Sequence, residues 1–384
     1  MHKYRLHFDQ STHGRVRAAM LHVKNKIAKH KNKLKNLSTR LFNSNSLVLS
    51  QTTAYDVIAE YKQTRIRYYA SPNKQYKEPL VFVAPLAINM AIYDLYPYRS
   101  LVKHFQHSGF DVYLVEWKRF NFRHRHLNFL SFIDAAIPQS IETICKHSNS
   151  QFISLHGWSM AGVFVTLYTA LHSPEHVKNL MVVGSPIDSY ASGRVGKLFS
   201  TTNKLISKNK NLQQAIHQGH IPKQYIHTPG IVNALGFKLL DPIGWLKSQK
   251  QFLLNLDHVE NVYEHATMGN FLNKMIDYPG GINQDMVLHL WLQNPLKQGS
   301  ITLNGRTVDL KNISCSLLVG AGQTDQIVTE QSAKPLIELT SSQDKTFTLI
   351  PGGHLGLMSN QKTANTFWPK MTTWLAQRST RLDA

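Results

Sequence analysis

Apolar residues in this chain come in short unbroken runs rather than in alternation. Pro79 to Pro85 is apolar throughout, the pattern of a strand covered on both faces. Thr64 to Ala70, Phe110 to Glu116, Phe152 to Leu155, Asn179 to Gly184, Cys315 to Val319 and Thr346 to Ile350 read as further strands. Tyr98 to His107, Asn128 to Lys146, Val163 to Tyr168 and about Ala364 to Arg378 read as helices. Strand and helix alternating in this way predict an α/β fold with a mostly parallel, doubly wound sheet. The alternation stops between Asp188 and Thr302, where Gly, Pro and Asn mix with amphipathic stretches such as Trp245 to Leu256 and Met286 to Leu292. That change predicts an inserted helical cap. The expected organisation is therefore an N-terminal arm over 1–50, core over 51–187, cap over 188–302 and the rest of the core over 303–384.

The junction between Phe152 to Leu155 and Val163 to Tyr168 carries the candidate chemistry. It reads Gly157-Trp158-Ser159-Met160-Ala161-Gly162, with Ser159 at the turn between strand and helix. Small residues on either side let the backbone bend sharply enough to lift a hydroxyl above the sheet edge, as a nucleophile requires. Ala161 occupies the last position of the usual G-x-S-x-G and Gly162 follows it. A serine nucleophile needs a base, an acid that orients the base, and donors for an oxyanion. In this architecture the chain order is Ser, acid, His. His354, in Pro351-Gly352-Gly353-His354 after the last strand, is the candidate base; His156, before the turn, is its nearest rival among 20 histidines. Asp325 follows the strand that begins at Cys315 and is the candidate acid, since sites gather at the carboxyl ends of such strands. Asp188, one strand earlier, is the alternative. The oxyanion donors expected are the N–H of Met160 and one N–H from the loop after Pro85, with Leu86 and Ala87 as candidates.

Composition allows such a protein. The 384 residues are 42% hydrophobic and 17% charged, enough for one large core with an insertion. Cys145 and Cys315 have no metal-like spacing around them and read as core thiols in a reducing compartment. No metal site and no bound cofactor are expected. Residues 1 to 5 lack an apolar secretory core, and Pro79 to Ile92 falls short of the roughly 20 apolar residues that span a bilayer, so a cytoplasmic protein is expected.

The formal charge of +20 is concentrated at the start of the chain. Residues 1 to 50 hold Lys3, Arg5, Arg15, Arg17, Lys24, Lys26, Lys29, Lys31, Lys33, Lys35 and Arg40 against Asp9 alone. A solvated helix or a disordered tail is one reading of this arm. The other is attraction to an anionic membrane or polymer-granule surface, at which the protein would be peripheral. No nucleic-acid motif accompanies the charge, so nucleic acid ranks below the surface.

From about residue 53 to 378 the chain resembles the polyhydroxyalkanoate synthases, in particular the shorter type that works with a partner subunit. The resemblance is carried by Ala91-Ile92-Tyr93-Asp94-Leu95 with Ser100-Leu101-Val102, by Gly109-Phe110-Asp111-Val112-Tyr113-Leu114-Val115-Glu116-Trp117, and by Asn304 to Cys315. The Ser159 turn, Asp325-Gln326-Ile327-Val328 and Gly352-Gly353-His354 are similar too. It implies an α/β-hydrolase fold with a cap, acyl transfer from coenzyme A thioesters without a bound cofactor, and either a homodimer or a partner subunit. The family carries Cys where this chain has Ser159, and commonly His where it has Gln326. A Cys acyl-enzyme is a thioester, close in energy to the donor, whereas a Ser acyl-enzyme is already an oxygen ester and depends more on its base. The resemblance thus implies a serine acyl-transfer enzyme for hydroxyacyl or fatty acyl thioesters and esters. An esterase or lipase of the same fold, and a non-catalytic granule- or membrane-surface protein, are the alternatives.

Overall fold

The computed structural model describes residues 10–86, 90–217, 221–240 and 242–382. The chain divides into two compact units. The larger groups Ser50–Pro242 with the residues from Phe271 onward. Its centre is an eight-stranded sheet built from β1 (Asp56–Glu60), β2 (Thr64–Tyr69), β3 (Leu80–Val83), β4 (Val112–Trp117), β5 (Ile153–Trp158), β6 (Val177–Val183), β9 (Ser316–Gly322) and β10 (Lys345–Ile350). β7 (Ser300–Leu303) and β8 (Arg306–Asp309) form a separate antiparallel hairpin.

The order across the sheet is β1-β2-β4-β3-β5-β6-β9-β10. β1, β2 and β4 pair antiparallel, and every pairing from β4 to β10 is parallel. This is the mostly parallel, doubly wound sheet that the solid apolar runs imply, because a strand covered on both faces has no polar side to alternate. All four residues of β3 and all six of β5 are buried. Chain direction across the sheet reverses between β3 and β5, so their carboxyl ends open the crevice where ligands bind in open α/β sheets. Ser159 follows β5, and the loop beginning at Leu86 follows β3.

Several elements differ from the sequence expectation. The helix expected from Tyr98 starts at Leu101, because the Ser100 hydroxyl caps it by accepting from the Lys103 N–H at 3.1 Å. β1 is an exposed edge strand with no apolar run to announce it. The β7–β8 hairpin turns on Asn304 and Gly305, both at positive φ (48° and 77°), a strong hairpin signal in the sequence. Cap residues form helices at Gly193–Ile206, Lys210–His217 and Gly230–Leu240, and Gln284–Leu292 is π-helical.

The smaller unit groups the residues up to Leu49 with Ile243–Asn270. The described part of the basic stretch is the helix Gln10–Phe42, followed by a short 3-10 turn, Ser44–Leu47. Leu47, Leu256, Val262 and Ala266 form a small core, against which Leu37, Phe252 and Tyr263 pack. Asp257 pairs with Lys29 at 3.0 Å and Lys33 at 3.6 Å, and Asn36 donates to the Leu256 carbonyl at 2.7 Å. Among the described residues no helix is long and apolar enough to cross a membrane.

Candidate active site

Ser159 is the junction between β5 and the helix Met160–His172, with φ 58° and ψ −127°. A side-chain-bearing residue avoids that region, and holding it there costs on the order of 1–3 kcal/mol. The surrounding backbone enforces it. A Cβ on Gly157 would lie 2.5 Å from the Ala161 carbonyl oxygen and 2.5 Å from the Gly162 Cα. A Cβ on Gly162 would lie 1.9 Å from the Ser185 Oγ. The two close approaches fall on Gly157 and Gly162, which explains why Ala161 is accommodated between them. The Ser159 N–H donates to the Val183 carbonyl on β6 at 2.9 Å, fixing the turn to the neighbouring strand.

Three of the predicted side chains meet. Ser159 Oγ lies 2.9 Å from His354 Nε2, and His354 Nδ1 lies 2.7 Å from Asp325 Oδ2. The other carboxylate oxygen, Oδ1, accepts from the N–H groups of Ile327 at 2.8 Å and Val328 at 2.9 Å. The Asp325 side chain is wholly buried and that of His354 is 4% exposed, so solvent competes little for these bonds. With the carboxylate accepting from Nδ1–H, Nε2 is left to accept the hydroxyl proton of Ser159.

Main-chain contacts fix the two loops that carry Asp325 and His354. Gln323 and Thr324 donate to the carbonyls of Ile350 and Gly352, at 2.9 and 3.1 Å. Gly322 permits this approach, since a Cβ there would sit 2.7 Å from the Gly352 oxygen. The Trp158 ring, fully buried, packs 5.1 Å from that of His354. The N–H groups of Ile327 and Val328, the Trp158 ring and the Ser185 contact were not read from sequence. Only the first had a local signal, an Asp followed by a turn.

Met160 is the first residue of its helix, where helical geometry leaves the N–H without an intrahelical acceptor. Leu86 is fully buried beside Pro85, and Ala87 lies outside the described residues. The rival residues sit elsewhere. His156 is fully buried, edge-on to Phe82 and Tyr93 at 4.9 and 5.8 Å between ring centres, and among the described residues neither ring nitrogen has a hydrogen-bond partner. Burial pushes its pKa down to about 3, so it is a neutral core residue. Asp188 caps the turn Ser189–Ala191 and bonds Lys297 at 2.9 Å and Asn294 at 2.8 Å. Burial opposes its ionisation, but those two partners outweigh burial and hold its pKa below the usual carboxylate value.

A cavity of about 640 Å³ reaches Ser159 and His354 and is lined by residues such as Val195, Phe199, Phe237, Met286 and Trp291. Three of its polar side chains are bonded together: the Thr228 hydroxyl donates to Asn233 Oδ1 at 2.8 Å and accepts from Asn283 Nδ2 at 3.0 Å. An apolar cavity ending at a hydroxyl–imidazole–carboxylate chain can hold an acyl group with its carbonyl at Ser159.

A family model described as the alpha/beta hydrolase fold matches residues 89–361. The chain is similar to the poly(3-hydroxyalkanoate) polymerase subunit PhaC of Haloferax mediterranei, at 26% identity over 329 residues, covering 85% of this chain and 64% of that protein. It thus spans less than two thirds of that relative. The protein of the same name from Allochromatium vinosum is 26% identical over 347 residues, covering 88% of this chain and 92% of the relative. Among solved structures, a soluble variant of monoglyceride lipase from Saccharomyces cerevisiae in complex with a substrate analog shares the fold. Its TM-score is 0.54 at 14% identity, covering 86% of this chain and 96% of that one.

Proposed function

Since the chain belongs to the α/β-hydrolase fold family and is akin within it to the polyhydroxyalkanoate synthases, we propose that it is a serine-nucleophile acyl-transfer enzyme. Its donors are hydroxyacyl or fatty acyl thioesters, with coenzyme A as the leaving group, and the corresponding esters. The observation that carries this reading is the bonded chain Ser159–His354–Asp325 at the end of an apolar cavity.

In the proposed mechanism His354 Nε2 takes the Ser159 proton as Oγ attacks the acyl carbonyl. Asp325 keeps the imidazole in the tautomer that can accept and stabilises the imidazolium that forms. The N–H groups of Met160 and of Leu86 or Ala87 receive the oxyanion. Collapse of the tetrahedral intermediate expels the thiolate or alkoxide, which takes the proton from His354. His354 then deprotonates an acceptor, whose oxygen attacks the acyl carbon; the second tetrahedral intermediate expels Ser159 Oγ, which takes that proton back from His354, and the acyl group leaves on the acceptor's oxygen. A hydroxyl acceptor makes the protein a synthase, and water makes it an esterase. The hydrolytic reading is favoured by one specific observation, that residue 159 is Ser. Its oxygen-ester intermediate has lost the thioester's driving force for transfer to a hydroxyl. The helix Gln10–Phe42 is proposed to hold the enzyme at an anionic surface through its lysines.

Incubation with 3-hydroxybutyryl coenzyme A and with p-nitrophenyl butyrate, following free thiol, nitrophenol, polymer and free acid, tests the proposal. Release by the wild type that disappears in Ser159→Ala supports it, and release that persists in Ser159→Ala contradicts it. Polymer identifies a synthase, and free acid alone identifies a hydrolase.

A further inference from the structure

Gly236 stands out in the helix Gly230–Leu240. It lies in the interior of the helix, where glycine is less stable than alanine because it has more backbone freedom to lose. It needs no left-handed conformation, and no neighbour forbids a side chain: a Cβ built on it meets nothing within 4 Å. The glycines at the nucleophile turn are the opposite case: Gly157 is crowded by backbone, and Gly162 by the Ser185 side chain and the Gly157 carbonyl. Gly236 also lines the cavity that reaches Ser159, beside Val232, Asn233 and Phe237 from the same helix. Gly236 is itself exposed, so a side chain there would extend from the face that lines the cavity into space that is now open.

We infer that Gly236 is a specificity-determining residue that sets the length of the acyl group the cavity accepts, an inference that rests on the acyl-transfer reading above. With about 30 Å³ per heavy atom, as for liquid water, half-filling of a 640 Å³ cavity corresponds to an acyl group of about ten carbons. The four carbons of a leucine side chain at 236 would remove about 120 Å³, which at the same half-filling is equivalent to about two of those carbons. Each methylene buried against apolar walls strengthens binding by about fourfold. The ligand class is thus a medium-length hydrocarbon acyl chain, recognised by apolar contact, since Thr228, Asn233 and Asn283 are bonded to one another.

The test uses the full-length protein and p-nitrophenyl esters from acetyl to dodecanoyl. Wild-type kcat/KM is expected to rise about fourfold per methylene toward about ten carbons. In Gly236→Leu the optimum moves about two carbons shorter, and the ratio of decanoyl to butyryl kcat/KM falls at least tenfold. The melting temperature should not fall, because leucine is the better helix former. Leu235→Phe adds bulk one residue away at a position 59% exposed and outside the cavity lining, and should keep the wild-type ratio. Gly236→Ala provides the smaller step, about twofold. An unchanged ratio at position 236, or an equal fall in Leu235→Phe, overturns the inference. Binding of decanoate and butyrate, read by tryptophan fluorescence, separates the two claims. A wild type that cleaves no ester yet prefers decanoate, and loses that preference in Gly236→Leu, refutes only the acyl-transfer reading. A wild type that cleaves esters but shows no length preference in either assay refutes only the role of Gly236.

Discussion

Replacing Asp325 by Asn tests the orientation of the base at a single atom. Asp325 Oδ1 accepts two backbone N–H groups, from Ile327 and Val328, while Oδ2 faces His354 Nδ1. An asparagine must keep its oxygen toward the two N–H groups, because turning the amide round would set donors against donors and forfeit two hydrogen bonds of about 1 kcal/mol each. Its NH2 group is then forced against His354, so Nδ1 must accept and Nε2 must carry the proton. Nε2 can no longer take the Ser159 proton. The loss expected for such a wrong-tautomer imidazole is about 10⁴-fold in kcat, or roughly 5 kcal/mol of barrier. The fold should survive, since the buried oxygen and its two donors are retained. The assay is kcat and KM for p-nitrophenyl butyrate, with a thermal melt of the same sample. A melt close to wild type with a loss below tenfold would refute the assignment of Asp325 as the orienting acid.

Three further outcomes follow from the same structure. Gly157→Ala should destabilise by about 3 kcal/mol or more in urea unfolding, because the added methyl meets backbone atoms that cannot rotate away; a change below 1 kcal/mol would contradict the packing of the turn. His156 binds its proton with a pKa near 3 when folded and near the ordinary 6.5 when unfolded, so stability falls as pH drops below about 6.5 and the loss levels off below about 3. At pH 5 the loss from this residue is about 2 kcal/mol, and His156→Leu should weaken the decline in stability between pH 7 and pH 5 by that amount, whereas parallel declines would show that His156 is not the cause. Lys24, Lys26, Lys31 and Lys35 are exposed along the basic helix; changing all four to Gln should lower affinity for phosphatidylglycerol vesicles by up to about 1 kcal/mol per lysine, with a salt-dependent remainder. Sedimentation with vesicles checks this, and binding equal to wild type would remove the surface role of the arm.

What could be read from the sequence depended on how local its cause was. The strand before Ser159 is buried throughout and the helix after it is buried from Met160 to Ala170, and small residues flank the turn between them, so the position of Ser159 was legible from a dozen neighbours. Asp325 and His354 were placed by chain order at the ends of β9 and β10, and those strands pair in parallel and carry the two loops together. The reason that glycine occupies 162 rather than 161 is Ser185, just beyond the end of β6, a partner no local pattern reveals. β1 was missed because an exposed edge strand has no apolar signature. The core of the smaller unit was missed because Leu37 and Leu47 meet Leu256 and Val262, which are some two hundred residues distant. Gly236 is invisible for the same reason, since its meaning lies in the empty space beside it.

The most direct test of the account is acid quenching of the protein during turnover of p-nitrophenyl butyrate or 3-hydroxybutyryl coenzyme A, followed by intact-mass and peptide mass spectrometry. The account predicts one acyl group per chain, on the peptide that contains Ser159, and none on Ser159→Ala. An acyl group on any other residue, or full turnover by Ser159→Ala, would contradict it.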